Sequence, residues 1–265
     1  MKIIIDTKKS VEQNAQSYFE KGKQARKKLE GAKKALGISK KKLEKETKEK
    51  EQNLEKVKKE HKERAEQANR KQEWYEKKFR WFISSEDFLV LGGRDATTNE
   101  ILIKKHTDKH DIVFHTDMSG SPFFVIKTEG KEPGEQTIQE TADATLCFSK
   151  AWKMGLGTTP AFWVTPEQVS KEANPGEYVP KGAFMIRGKT NYVNPTADCA
   201  IGQLEDGRMM CAPTTAVKKH CEKTIMIIQG KKKASDIAKI VRKKIGGILD
   251  EIIKILPSGG LDIKE

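Results

Sequence analysis

Cysteine is scarce in this sequence and poorly spaced for a staple or a metal. Cys147, Cys199, Cys211 and Cys221 are the only thiols in 265 residues and form no CxxC pair. Neither a disulfide scaffold nor a zinc site is indicated, and buried free thiols are expected. No apolar run reaches the roughly 18 residues of a membrane span. The opening Ile3-Ile4-Ile5 is too short for the apolar stretch of a signal peptide. Residues 8–79 contain no proline, and only 36% of the chain is hydrophobic, against roughly 45–50% in an ordinary globular chain. These shortages argue against a membrane protein and a secreted disulfide framework. They point to an intracellular, cytoplasmic chain with no cofactor or metal implied, part of which is solvated.

Charge is what the sequence has in excess: 34% of residues are charged and the net charge is +13. It is unevenly spread. Residues 1–80 hold 26 Lys and Arg against 14 Asp and Glu, whereas residues 81–192 hold 12 against 15. A second basic stretch, 231–244, has seven Lys and Arg against one Asp. A basic module is therefore joined to a near-neutral one.

In the basic module, Val11, Ala15, Tyr18, Gly22, Ala25, Leu29, Ala32 and Leu36 alternate spacings of four and three, the rhythm of a coiled-coil seam. Gly37-Ile38-Ser39 interrupts it: glycine is a natural helix stop and Ser39 a candidate N-cap. A weaker seam follows through Leu43, Thr47, Leu54, Val57, His61, Ala65, Ala68, Gln72 and Tyr75. Two helices and a short break predict an antiparallel coiled-coil hairpin over 1–79, with Lys33, Lys34, Lys40, Lys41, Lys42 and Lys45 at its tip. Such an arm suits polyanion binding through counterion release, or it is a solvated helix pair kept soluble by its lysines.

Aromatics cluster at Trp74, Tyr75, Phe79, Trp81 and Phe82, where an arm would anchor to a core. Beyond them, strands are expected at Arg80–Ser84, Phe88–Gly92, Asp111–Thr116, Pro122–Lys127, Ala161–Thr165 and Phe184–Arg187, and helices at Ala96–His106 and Gly134–Ser149. Hairpins outside helices give an α+β class with a mixed or antiparallel sheet and flanking helices. At the C-terminal end, Ala197–Leu204 and Arg208–Ala212 read as a hairpin around Glu205-Asp206-Gly207, and Glu222–Gln229 as a buried strand. A basic turn, Lys231-Lys232-Lys233, leads into a helix from Ser235 to Leu256, with Gly246-Gly247 in its middle as a candidate kink. The expected division is arm 1–79, domain 80–192 and extension 193–265.

The run Arg80-Trp81-Phe82-Ile83-Ser84, then Gly92-Gly93-Arg94-Asp95-Ala96, Asn99-Glu100 and Lys104-Lys105, strongly resembles the opening of the NFACT-R domain. So does His115-Thr116-Asp117-Met118-Ser119-Gly120, in the family's HxDxxG position. Ser149-Lys150-Ala151-Trp152, Trp163-Val164, Gln168-Val169-Ser170-Lys171, Gly176-Glu177-Tyr178 and the segment from Gly182 to Tyr192 continue it. The first 80 residues also resemble the family's middle coiled coil. The resemblance implies a ribosome-associated factor of translation quality control that binds an obstructed large ribosomal subunit through rRNA or tRNA, alongside other factors of that pathway. No counterpart of the family's N-terminal domain or helix-hairpin-helix region is present in this sequence, so a short homologue or an excised piece is expected.

Three readings of the motif residues stand side by side. In the first they contact RNA: Arg94, Lys150, Arg187 and Lys189 at phosphates, His115, Trp152 or Asn191 at sugar or base faces, with Asp95, Asn99 and Asp117 among them, and Lys40, Lys41, Lys42, Lys231, Lys232 and Lys233 gripping the backbone. In the second, Asp95, His115 and Asp117 hold a divalent metal for phosphodiester cleavage. In the third, the aspartates cap turns and the glycines supply positive φ. The leading expectation is a non-enzymatic RNA binder, with a metal-dependent nuclease and a protein-docking scaffold as alternatives.

Overall fold

The computed structural model describes residues 3–69, 72–173, 176 and 178–264, excepting the side chains of residues 51–53, 56 and 59–69. The chain divides into two compact units, Met1–Lys62 and Glu63–Glu265.

The first unit is dominated by α1, Val11–Asn69, which continues past the unit's last residue. It opens with a capping box: the Gln13 amide donates to Ser10 Oγ at 3.2 Å, and the Ser10 amide to Gln13 Oε1 at 3.1 Å. The expected hairpin does not form, because the helix runs unbroken through Gly37 and Ser39. The reason is energetic. A glycine inside a helix costs only about 1 kcal/mol relative to alanine, and no proline enforces a stop. The flanking residues are strong helix formers with Glu30/Lys34, Glu44/Lys48 and Glu46/Lys50 at the favourable i,i+4 order. A Cβ at Gly37 would meet nothing within 4 Å, so no packed neighbour selects a turn there. The first seam and the start of the second lie on the surface, with Leu29 57%, Leu36 59% and Leu43 67% exposed. The side chains of His61, Ala65 and Ala68 lie outside the described residues.

The second unit is α+β, as its pattern predicts. Its larger sheet has six antiparallel strands in the order β1-β2-β4-β3-β5-β8. These are β1 (Arg80–Ile83), β2 (Leu89–Gly92), β3 (Ile112–Thr116), β4 (Phe124–Lys127), β5 (Ala161–Val164) and β8 (Asn191–Val193). Helix α2 (Ala96–Lys105) follows β2, and α3 (Glu135–Cys147) and the single turn α4 (Lys150–Lys153) precede β5; β6 (Val169–Ser170) pairs with β7 (Met185–Ile186). A second, four-stranded sheet runs β10-β9-β11-β12, from β9 (Cys199–Gln203), β10 (Met209–Ala212), β11 (Thr224–Lys232) and β12 (Leu261–Ile263), with α5 (Thr214–His220) between β10 and β11.

Helix α3 touches β3, β4 and β5 of the first sheet and β9 of the second. It is therefore buried on nearly all sides: Thr137, Glu140, Thr141, Asp143 and Thr145 are enclosed along with Ala142 and Leu146. Its polar groups are satisfied. Thr141 and Thr145 donate to carbonyls one turn back at 2.7 Å, and Glu140 accepts from the Ser85 amide at 2.9 Å and Thr215 Oγ1 at 2.6 Å.

The expected C-terminal helix is two helices. Helix α6 (Ala234–Lys244) and α7 (Leu249–Ile255) are separated where Gly246 (φ 113°) and Gly247 (φ 87°) take positive φ. Paired glycines here break the helix outright rather than kink it, and the turn folds α7 back onto α6 and β10. All four cysteines are free and buried, as their spacing suggests. No helix among the described residues is long and apolar enough to cross a membrane.

Candidate nucleic-acid interface

Four of the residues singled out from the sequence converge on one pocket of about 400 Å³: Arg94, Asp95, Asn99 and His115. Each does structural work there. Asp95 is the N-cap of α2, accepting from the Thr98 amide at 2.8 Å and Thr98 Oγ1 at 3.0 Å, and these bonds lower its pKa. Asn99, 8% exposed, accepts from the Phe123 amide at 3.2 Å and ties the β3–β4 loop to α2. It lies so close to Gly93 that a Cβ there would run into Asn99 Oδ1.

Arg94 donates from Nη2 to the carbonyls of Phe79 (2.9 Å) and Glu76 (3.3 Å), closing the turn that leads into β1. Burial lowers its pKa. His115, at the end of β3, has Nδ1 2.6 Å from the Thr116 carbonyl and Nε2 3.1 Å from the Ser121 carbonyl, so its ring fastens the loop that follows. Burial depresses its pKa too, favouring the neutral ring, which can donate to only one of those oxygens at a time.

Other candidates lie elsewhere. The stem of exposed Lys150 runs beside Gly120, whose φ of 89° shapes the β3–β4 loop. Asp117 accepts from the Tyr192 hydroxyl at 3.3 Å. Asn191 reaches the Trp163 carbonyl at 3.5 Å, and Arg187 donates to the Glu172 carbonyl at 3.0 Å. Lys189 is exposed, as are Lys40, Lys41 and Lys42 on α1 and Lys231, Lys232 and Lys233 at the end of β11. Lys232 pairs with Asp262 at 2.7 Å. Trp152 is 1% exposed and belongs to the core, so its ring offers no stacking face. No group of three or more His, Cys, Asp or Glu side chains placed to hold a metal ion is found among the described residues.

The sequence reading missed Arg80 and Lys181, which line the same pocket. A signal existed for Arg80: it is the charged residue that opens an apolar strand whose next two residues, Trp81 and Phe82, are buried. Burial lowers its pKa to about 10, and its guanidinium lies 4.3 Å over the Phe148 ring.

A pocket with a basic lining thus lies on an antiparallel sheet flanked by helices, beside exposed Lys150 and Lys181. Residues 78–188 match the NFACT protein RNA binding domain. The chain is 43% identical over 204 residues to the archaeal Rqc2 homolog aRqcH of Methanocaldococcus jannaschii, covering 74% of this chain and 30% of that protein. It is 39% identical over 184 residues to the human ribosome quality control complex subunit NEMF, covering 69% of this chain and 16% of that protein. Among solved structures it is similar to the C-terminal part of the fibronectin/fibrinogen-binding protein from Streptococcus suis, with TM-score 0.38 and 21% identity over 48% of this chain and 47% of that one. Residues 78–188 thus carry an NFACT-R domain, and the chain is similar to ribosome quality control proteins. It spans under a third of the length of these curated relatives.

Proposed function

We propose that this chain is a non-enzymatic, ribosome-associated RNA-binding factor of translation quality control, working in the cytoplasm. The observation that carries the reading is the match of residues 78–188 to an RNA binding domain, supported by relatives named as ribosome quality control subunits. Its partners on this reading are the large ribosomal subunit, through rRNA or tRNA, and other factors of the same pathway. The charge distribution supports a division of labour. The basic arm, 1–79, and the 231–244 stretch grip phosphate backbone, and the near-neutral domain between them makes the specific contacts.

Co-sedimentation with separated ribosomal subunits, with and without residues 1–79, tests this. The full chain is expected in the large-subunit fraction at low salt and released steeply as salt rises. Binding that is absent, or indifferent to salt, would overturn it.

A further inference from the structure

Arg80 is a largely buried cation that forms no salt bridge among the described residues. One of its terminal nitrogens, Nη1, is fully enclosed and has no hydrogen-bond partner among the described residues, and the same holds for Nε of Arg94. The Arg94 guanidinium is near enough to disfavour the charge of Arg80. Both line the pocket at the β2–α2 loop, with Lys181 and His115. The one carboxylate in that lining, Asp95, gives Oδ1 to Thr98 and interacts with Arg94 and Lys181, and it is not among the charges that act on Arg80.

Enclosing an unpaired guanidinium is costly unless something anionic answers it. The Phe148 ring packs against the Arg80 group from one side and offsets only part of that cost. Close packing of Gly182 against Ala96, where a Cβ would meet the Ala96 backbone, brings the Lys181 segment over the same opening. Pro122, Phe123, Pro180 and Phe184 give the pocket an apolar wall, with Ser119 and Ser121 beside it. The volume of about 400 Å³ suits a small ligand rather than a helix or strand.

We propose that this pocket is a phosphate-binding site, in which Arg80, with Arg94 and Lys181, holds the phosphate of a nucleotide whose sugar or base lies on the Phe123–Phe184 wall. The choice of a nucleotide phosphate over another anion rests on the RNA-binding reading above; the need for an anion does not. Planar guanidinium groups match tetrahedral oxyanions through paired donors.

The test uses the full chain, with inorganic phosphate and AMP as probes and chloride at matched ionic strength as control. Both probes are expected to raise the melting temperature and to give saturable binding by calorimetry. In Arg80→Met, which keeps the packing on Phe148 and removes the charge, the phosphate-dependent rise should vanish and AMP affinity fall by at least roughly tenfold. Its melting temperature without phosphate should match or exceed the wild type, since an unpaired buried charge is gone.

No response of the wild-type protein to either probe overturns the proposal, as does an Arg80→Met protein that responds like the wild type. Should Arg80→Met not fold, Lys181→Gln at the exposed rim decides: weakened AMP binding supports the site and unchanged binding overturns it. Single-stranded RNA that displaces AMP assigns the site to the RNA backbone, whereas AMP bound without competition assigns it to a free nucleotide; either supports a phosphate site. Arm-dependent RNA binding in the Arg80→Met protein reads the proposed function separately. Loss of subunit binding with phosphate binding intact sinks that function and leaves the pocket.

Discussion

Positive charge is held in opposite ways by α1 and by the pocket beside β1. On the helix it is plentiful and solvated: Lys40, Lys41 and Lys42 stand exposed, as does every α1 lysine whose side chain is described. In the pocket it is sparse and enclosed, with Arg80 and Arg94 desolvated at the edge of a domain whose residues 81–192 carry more acids than bases. Exposed charge acts through number and is screened by salt, whereas enclosed charge acts through position and is screened little. The first kind suits attraction to any polyanion and the second suits choosing a group.

The largest expected effect bears on the exposed half of that contrast. Replacing Lys33, Lys34, Lys40, Lys41, Lys42 and Lys45 by Gln should weaken RNA binding about a hundredfold at low salt and flatten the log–log salt slope by up to about four. Filter binding across a salt series measures both. A slope that does not move would place the electrostatic grip outside the arm.

Gly93→Ala acts on the enclosed half. A methyl group there collides with Asn99 Oδ1, an atom that holds the Phe123 amide. A loss of about 2–3 kcal/mol in denaturant unfolding is expected, with helicity of the arm unchanged.

Asp143 contrasts with Asp95. Burial raises its pKa to about 6 although Thr196 and Gln139 donate to it, whereas hydrogen bonds lower that of Asp95. A carboxyl group that binds its proton more tightly in the folded state than in the unfolded one favours folding at low pH. That contribution is lost as pH rises from about 4 to about 6. Asp143→Asn should therefore be more stable than the wild type above pH about 6, by about 1–2 kcal/mol, with the difference closing below pH about 4. Melting temperatures across that range check the sign.

The smallest effect sharpens the description of the arm. Gly37→Ala should raise helix content and stability by up to about 1 kcal/mol, read by far-ultraviolet circular dichroism. A hairpin with a left-handed glycine at this position would lose stability instead.

Much of the second unit was legible because its signals are local. The apolar run Leu89-Val90-Leu91, the Ser84–Phe88 turn and the aspartate before Ala96 each specify an element without reference to the rest of the chain. The arm was misread at Gly37 because a turn residue and a tolerated helix glycine look alike in sequence. What separates them is whether a partner helix packs back, and that is a long-range fact. The double glycine at 246–247 illustrates the converse: the site was noticed, but the extent of the break depends on Met209, which a Cβ on Gly247 would crowd. Candidate residues were found by type, and Arg94, Asp95, Asn99 and His115 do share a pocket. Their hydrogen bonds to backbone groups were invisible, as was the lack of a partner for Arg80 Nη1 among the described residues, since which groups meet is a property of the folded chain alone.

Helix α3 bears on how the unit comes apart. Its far side is closed by the segment from Asn194 to Asp198 and by Thr215: the Thr196 amide donates to Asp143 at 2.7 Å, Gln139 to the Asn194 carbonyl at 3.1 Å and Cys147 to the Asp198 carbonyl at 3.3 Å. A polypeptide cut after residue 192 would leave Glu140, Asp143 and the Cys147 thiol stripped of those partners on an uncovered helix. Limited proteolysis should accordingly spare this junction and release residues 80–264 as one resistant fragment, with the six-stranded sheet and the four-stranded sheet melting in a single transition.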